Sequence, residues 1–262
     1  MNKRWRLAVG ILVSLLFLYL AMRKINWSDL WELFRRANYL LLIPAFLVIV
    51  VVSWVRAWRW RLLMYPNHRL PLPRIFSIVN IGYFFNNVFP AKAGELVRAY
   101  LAGRMISGGI GQSLSTLLVE RLLDVLATVA ILVILIPFVA LPSWAARGGL
   151  LFGAAAAVGA LVLVILSRFG SRGVDWLWAY LVRVPLLGNR PGALGKLKRA
   201  AQNLVDGFGV LTEPKVLPGA LLGTFLVWLG YATLNYTMMA VFRMTGQLPF
   251  TAALLVLCTT GF

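Results

Sequence analysis

The sequence predicts an all-α fold: a polytopic integral membrane helical bundle that includes a re-entrant pair of half-helices. Three observations carry that expectation. Hydrophobic residues fill 61% of the 262 positions and charged residues only 13%, against roughly 25% charged in an ordinary soluble domain. Several apolar runs approach or exceed the ~20 residues that cross a ~30 Å hydrocarbon core. The 26 basic residues, set against 8 acidic ones, fall mainly in short stretches beside those runs, where they set orientation and meet anionic headgroups. That distribution points to a membrane surface as the partner of the excess positive charge, so no nucleic acid is expected.

The first run, Trp5 to Met22, follows Lys3, Arg4 and Arg6 and resembles a secretory signal. It ends in Ala21, Met22, Arg23 and Lys24 without a small-x-small cleavage site, so it reads as a retained helix. Tyr39 to Val55 is the next span. Ile75 to Phe89 has 15 residues and Ala91 to Gly103 has 13, each short of a crossing. They read as half-helices broken at Pro90. Gln112 to Phe138, Gly148 to Leu166 and Leu217 to Phe242 follow, with a final run from Leu248.

Basic residues assign the sides. The N-terminus carries three Lys/Arg, residues 56–74 five, residues 92–104 three and residues 168–215 eight, whereas residues 139–147 carry one and only Arg243 separates the last two runs. The rule that cytoplasmic loops are rich in Lys and Arg places the N-terminus and residues 168–215 inside. Parity then requires residues 75–104 to enter and return or to cross twice, and their shortness favours the re-entrant pair. The least comfortable stretch is residues 23–36, assigned outside with four Lys/Arg, offset by Asp29 and Glu32. The expected location is the cell inner (plasma) membrane, with a cytoplasmic N-terminus.

The chain reads as one domain, residues 1–262. Within it, residues 168–215 form a cytoplasmic amphipathic loop: Trp176, Leu177, Tyr180, Leu181 and Val184 follow helical spacing near Arg172 and Arg183, as in a helix lying in the interface. "GNRPGALGK" lacks the phosphate-loop pattern and reads as a turn. "TAALLVLCTTGF" stops inside an apolar run without an anchoring flank, so the protein is expected to continue beyond Phe262. Cys258 and His68 are each the single residue of their type, which gives no disulfide framework and little material for a metal site or for Cys-His or Ser-His catalysis. No metal and no cofactor is expected.

Two polar constellations interrupt the apolar background. In "GYFFNNVFPAKAGELVR", backbone freed at Asn86, Asn87 and Pro90 survives in a membrane only against protein or a watery cavity. The half-helix after Pro90 presents N–H groups and a positive dipole end near Lys92 and Gly94 to an entering anion. Glu95 and Arg98, three apart, can pair. The plainer alternative is a buried turn capped by asparagines.

In "QSLSTLLVERLLDVLATVAILVILIPF", Ser113, Thr116, Glu120, Asp124 and Ala127 or Thr128 recur at three or four residues and draw a polar stripe down a helix. A charge near the middle of a membrane helix costs ~2.5–3.5 kcal/mol, so Glu120, Arg121 and Asp124 should avoid lipid. Arg121 and Asp124 can pair, which leaves Glu120 seeking a cation, and Arg98 is the candidate. The alternative is a charge zipper that joins helices.

"NNVFPAKAGELVRAYL" followed about 15 residues later by "SLSTLLVERLLDV" resembles the N-terminal half of the lysylphosphatidylglycerol synthase transmembrane family, through Asn86, Pro90, Gly94, Glu95, Arg98, Glu120, Arg121 and Asp124. The resemblance implies a flippase-like protein that moves polar-headgroup lipids, such as aminoacyl-phospholipids, glycolipids or isoprenoid lipids, between leaflets. The later "PGGLG"-type segment of the family and the aminoacyl-transfer domain of its bifunctional members are absent from this sequence, so synthesis of lysyl-lipid is not implied.

The leading expectation is therefore a lipid flippase-like transporter, not an enzyme. Its cavity would be lined by Asn86, Asn87, Pro90, Lys92, Gly94, Glu95, Arg98, Glu120, Arg121 and Asp124. Expected partners are membrane lipids with anionic or polar headgroups, with a second copy or a lipid-synthesis enzyme as further candidates. The rivals are an enzyme using Glu95, Glu120 or Asp124 on a lipid-linked substrate, and a scaffold subunit of lipid or cell-envelope biosynthesis.

Overall fold

A computed structural model describes residues 3–23, 25–65, 70–89, 93–139, 143–181, 191–246 and 248–260. Among them the regular structure is helical throughout: α1 (Lys3–Met22), α2 (Trp27–Arg36), α3 (Leu42–Leu63), α4 (Leu72–Val88), α5 (Ala93–Gly103), α6 (Gly109–Leu135), α7 (Ser143–Leu181), α8 (Pro191–Gly207), α9 (Leu217–Val241) and α10 (Phe250–Thr260). Short 3-10 turns precede α3 at Tyr39–Leu41 and follow α8 at Phe208–Thr212. The chain is an all-α membrane bundle. Tyr39–Leu63, Gly153–Gly170 and Leu217–Val241 are long and apolar enough to cross a bilayer.

The 22 residues of α3 rise about 33 Å at 1.5 Å per residue, and this helix packs along α9 as the spine of the bundle. The apolar run in the sequence ends at Val55, yet the helix continues for two more turns through Arg56, Arg59 and Trp60, all buried. α4 and α5 form an antiparallel hairpin of 17 and 11 residues, about 26 and 17 Å long. The interruption falls between Val88 and Ala93. Pro90 and Lys92 lie outside the described residues.

Glycine makes this hairpin close. A Cβ on Gly94 would stand 1.9 Å from the Gly82 carbonyl oxygen, and one on Gly82 would stand 2.4 Å from Cγ of Arg98. Only hydrogen at both positions lets the helices meet at this separation.

Two apolar cores flank the charged centre. One gathers Trp60, Leu63, Ile75, Val79, Leu117, Val119 and Phe208 among α3, α4, α6 and the second 3-10 turn. The other gathers Val52, Val227, Trp228, Ala232 and Leu257 where α3, α9 and α10 meet.

Within residues 168–215 the described positions fall mainly in the end of α7, in α8 and in the 3-10 turn after it. α7 bends at Gly170, whose φ of 53° suits glycine, and runs on to Leu181. α8 begins at Pro191, a residue favoured in the first helical turn, and packs against α6 and α7. Asp175 receives Gln202 Nε2 at 3.0 Å and pairs with Lys198 Nζ at 2.7 Å. Val184 and Arg183 fall outside the described residues, as do the side chains of Arg172, Trp176, Leu177, Tyr180 and Leu181, and "GNRPGALGK" is described only from Pro191.

Residues 23–36, read from sequence as a charged loop, contain the ten-residue helix α2.

Candidate functional site: a layered ionic cluster

α6 places Ser113, Thr116, Glu120 and Thr128 on one buried face, each at most 1% exposed. A carboxylate at that depth must be paired and fully hydrogen-bonded. Glu120 meets the requirement with three arginines. Its Oε1 accepts from Arg56 Nη2 at 2.9 Å and from Arg59 Nη2 at 3.0 Å, both on α3. Its Oε2 accepts from Arg98 Nη2 of α5 at 2.9 Å. These are charge-assisted bonds, about twice as strong as neutral ones.

Each arginine is held by more than Glu120. Arg56 also donates to the Tyr231 hydroxyl of α9 at 3.0 Å and lies 5.1 Å from the Tyr83 ring centroid. Arg59 donates through Nη1 to Asp124 Oδ1 at 2.7 Å and to Thr224 Oγ1 at 3.0 Å. The Arg98 guanidinium stacks over Trp60 at 4.2 Å, and Trp60 Nε1 donates to Thr116 Oγ1 at 3.0 Å. One carboxylate thus joins α3, α5 and α6, while Arg56 and Arg59 extend the network to α9.

A second layer is more open. Arg121 pairs with Glu95 across α5 and α6, their side chains 38% and 27% exposed. Asp124, 14% exposed, lies between the layers: Arg59 holds one of its oxygens, and Arg121 Nη1 stands 3.9 Å from the other. This rim offers one guanidinium and two carboxylates at the edge of the bundle. An apolar cleft of about 430 Å³ opens among α6, α9 and α10, lined by Leu123, Ile131, Thr224, Phe225, Trp228 and Leu254 among others, and it touches the network through Thr224, the partner of Arg59.

Arg98 and Glu120 meet, as their separate motifs suggest, and Arg121 pairs with Asp124 at 3.9 Å, although Asp124 has a closer partner in Arg59. Two local readings need correction. Glu95 does not pair with Arg98; it pairs with Arg121, because Arg98 points inward to Glu120. The Gly94 N–H is not free for an anion, since it donates to Asn86 Oδ1 at 2.8 Å. Asn86 therefore caps the start of α5 from the neighbouring helix. Asn87 is exposed and donates to the Tyr83 carbonyl of its own helix at 2.9 Å, outside the cluster. Arg56 and Arg59 are the residues that sequence reading missed. Their signal is the buried stripe Val52, Arg56, Arg59 or Trp60, and Leu63, at three- and four-residue steps.

The chain as a whole is similar to known membrane proteins. A UPF0104 membrane protein of Methanocaldococcus jannaschii is 29% identical over 117 residues, covering 44% of this chain and 35% of the relative. A UPF0104 membrane protein of Archaeoglobus fulgidus is 34% identical over 119 residues, covering 44% and 36%. The matched stretch therefore spans about a third of the length of these relatives. No solved structure matches the chain. The family described as the lysylphosphatidylglycerol synthase TM region matches residues 7–262, and the chain belongs to that family.

Proposed function

We propose that the protein is a flippase-like transporter, without covalent chemistry, that gives the polar headgroup of a lipid a path between leaflets. The observation that carries this reading is the layering of the ionic cluster. The inner layer of Arg56, Arg59, Arg98 and Glu120 is buried and joined by ion pairs, with the Nε of each arginine left without a hydrogen-bond partner among the described residues, and its connections across helices suit a brace. The rim of Glu95, Arg121 and Asp124 is partly open and can exchange partners. Arg121 offers a phosphate a planar donor, and the two carboxylates offer an amine its counter-charge. The apolar cleft among α6, α9 and α10, whose Thr224 bonds Arg59, suits the hydrocarbon tails. In this reading the α4–α5 hairpin is re-entrant, the N-terminus and residues 168–215 are cytoplasmic, and the membrane is the plasma membrane.

Reconstitution in liposomes separates this reading from its rivals. A transporter equilibrates a labelled phospholipid between leaflets, an enzyme changes the mass of the lipid, and a scaffold does neither. Lipid exchange indistinguishable from protein-free vesicles, with the protein folded, refutes the proposal.

A further inference from the structure

The connection between α1 and α3 carries a surface that the ionic cluster does not use. Asn26 opens α2 by accepting the Ser28 N–H at 3.2 Å. The helix then sets Trp27, Leu30, Trp31 and Phe34 at one-turn spacing along one face. None of the ten residues is buried, and Trp27 and Trp31 are 55% and 67% exposed. Ser28, Asp29, Glu32, Arg35 and Arg36 occupy the other side. Asp29 falls in the first turn and the two arginines in the last, matching the helix dipole. Glu32 pairs with Arg36 one turn away.

Three contacts fix where this helix sits. The Asn38 N–H donates to the Val241 carbonyl at 2.7 Å, the Phe34 ring meets the Phe242 ring at 5.8 Å, and the Tyr39 hydroxyl donates to the Phe34 carbonyl at 2.7 Å. They pin the C-terminus of α2 to the shared end of α3 and α9, two of the helices able to span a bilayer. At that end Tyr39, Leu40 and Ile43 are themselves exposed. The apolar face of α2 and the lipid-facing side of α3 therefore adjoin.

We propose that α2 is an interfacial helix, seated in the headgroup–hydrocarbon boundary of the leaflet at the α3–α9 end. Trp27, Leu30, Trp31 and Phe34 enter the upper acyl region, and Arg35 and Arg36 face lipid phosphates. The continuity with a membrane span selects the occupant, because a bilayer that covers Leu40 and Ile43 also reaches the face of α2. Tryptophan and tyrosine are the side chains that favour this level of a membrane. The charges of α2, awkward for a loop, then lie along the headgroups. The inference is independent of lipid transport.

The test uses the full chain with Cys258→Ser and single spin-labelled cysteines, in vesicles of phosphatidylcholine with one quarter phosphatidylglycerol. Labels replace Trp27, Trp31 or Phe34 on one face, and Ser28, Glu32 or Arg36 on the other. The ratio of collisions with oxygen to collisions with a water-soluble nickel chelate should be at least threefold higher on the first face. Equal ratios on both faces overturn the proposal, as do apolar positions reached by neither reagent, the result if protein or a second copy covers them. The polar positions make no buried contacts, so their labels report even if a tryptophan replacement disturbs the fold, and a lipid-like ratio there also overturns it.

Discussion

Arg98 of α5 and Glu120 of α6 form an ion pair of 2.9 Å, with side chains 4% and 1% exposed, and the other oxygen of Glu120 is shared by Arg56 and Arg59. The pair is one arm of a hub. Viewed as an isolated pair, it should tolerate joint removal, because replacing both charges by apolar groups spares each an unpaired state. The hub changes that result.

Glu120→Leu leaves three buried guanidiniums short of a counter-charge, whereas Arg98→Met removes one of three donors. The glutamate variant should lose ~3–5 kcal/mol or more, and Arg98→Met clearly less. Arg98→Met with Glu120→Leu should not recover stability, because among the described residues Arg56 keeps only Tyr231 as a hydrogen-bond acceptor, while Arg59 keeps Asp124 and Thr224. Denaturant unfolding in detergent micelles measures all three. A double variant close to wild type would show that Arg56 and Arg59 do not depend on Glu120.

Gly94→Val should damage folding directly, since its first added carbon meets backbone of α4 and not a movable side chain. Overpacking of this kind typically costs ~1–3 kcal/mol and sometimes more. Gly159, with open space around a built Cβ, is the control, and Gly159→Ala should leave the melting temperature unchanged or slightly raised. Transport lost by Gly94→Val at normal stability would instead assign Gly94 to the lipid path.

The adjacent asparagines should behave differently. Asn86→Ala removes the acceptor for the Gly94 N–H and should cost about 1–3 kcal/mol, the penalty for an orphaned, partly buried donor. Asn86→Asp keeps an acceptor and should retain more stability than Asn86→Ala. Asn87→Ala loses only an exposed bond within its own helix and should change little. Thermal unfolding of the three variants decides the matter, and equal effects at both positions would contradict the cap.

The bundle class was legible because composition and run length depend on the solvent, not on tertiary detail. The brace was legible from one side only. Glu120 announced itself as a carboxylate in an apolar helix, which demands cations, and Arg98 lay in the neighbouring motif. Arg56 and Arg59 stayed hidden because arginine after an apolar run looks the same whether it anchors a helix end in headgroups or extends a buried stripe by two turns. Asn86 was legible in part. The sequence offers a turn capped by asparagines as the plainer alternative, and Asn86 does accept the Gly94 N–H, but which of the two adjacent asparagines turns back is set by the packing of α4 on α5.

Glu95 and Arg121 carry the prediction closest to function. In the proposed path water reaches their partly exposed pair, so its net contribution to stability should lie within about 1 kcal/mol. Neutralising either residue should therefore leave the unfolding midpoint nearly unchanged, unlike any change at Glu120. If the rim takes lipid headgroups, the two variants should diverge in transport. Arg121→Gln removes the accessible guanidinium and should slow exchange of a phosphodiester lipid about tenfold, the loss of ~1.4 kcal/mol, comparable to one charge-assisted bond. Glu95→Gln keeps that guanidinium and releases it from its partner, so it should slow an amine-bearing lipid while sparing one without an amine. Leaflet-exchange rates for phosphatidylethanolamine and phosphatidylglycerol in the same vesicles give the comparison. Wild-type rates in both folded variants would remove the rim from the path, and losses that track unfolding would return Glu95 and Arg121 to a structural role.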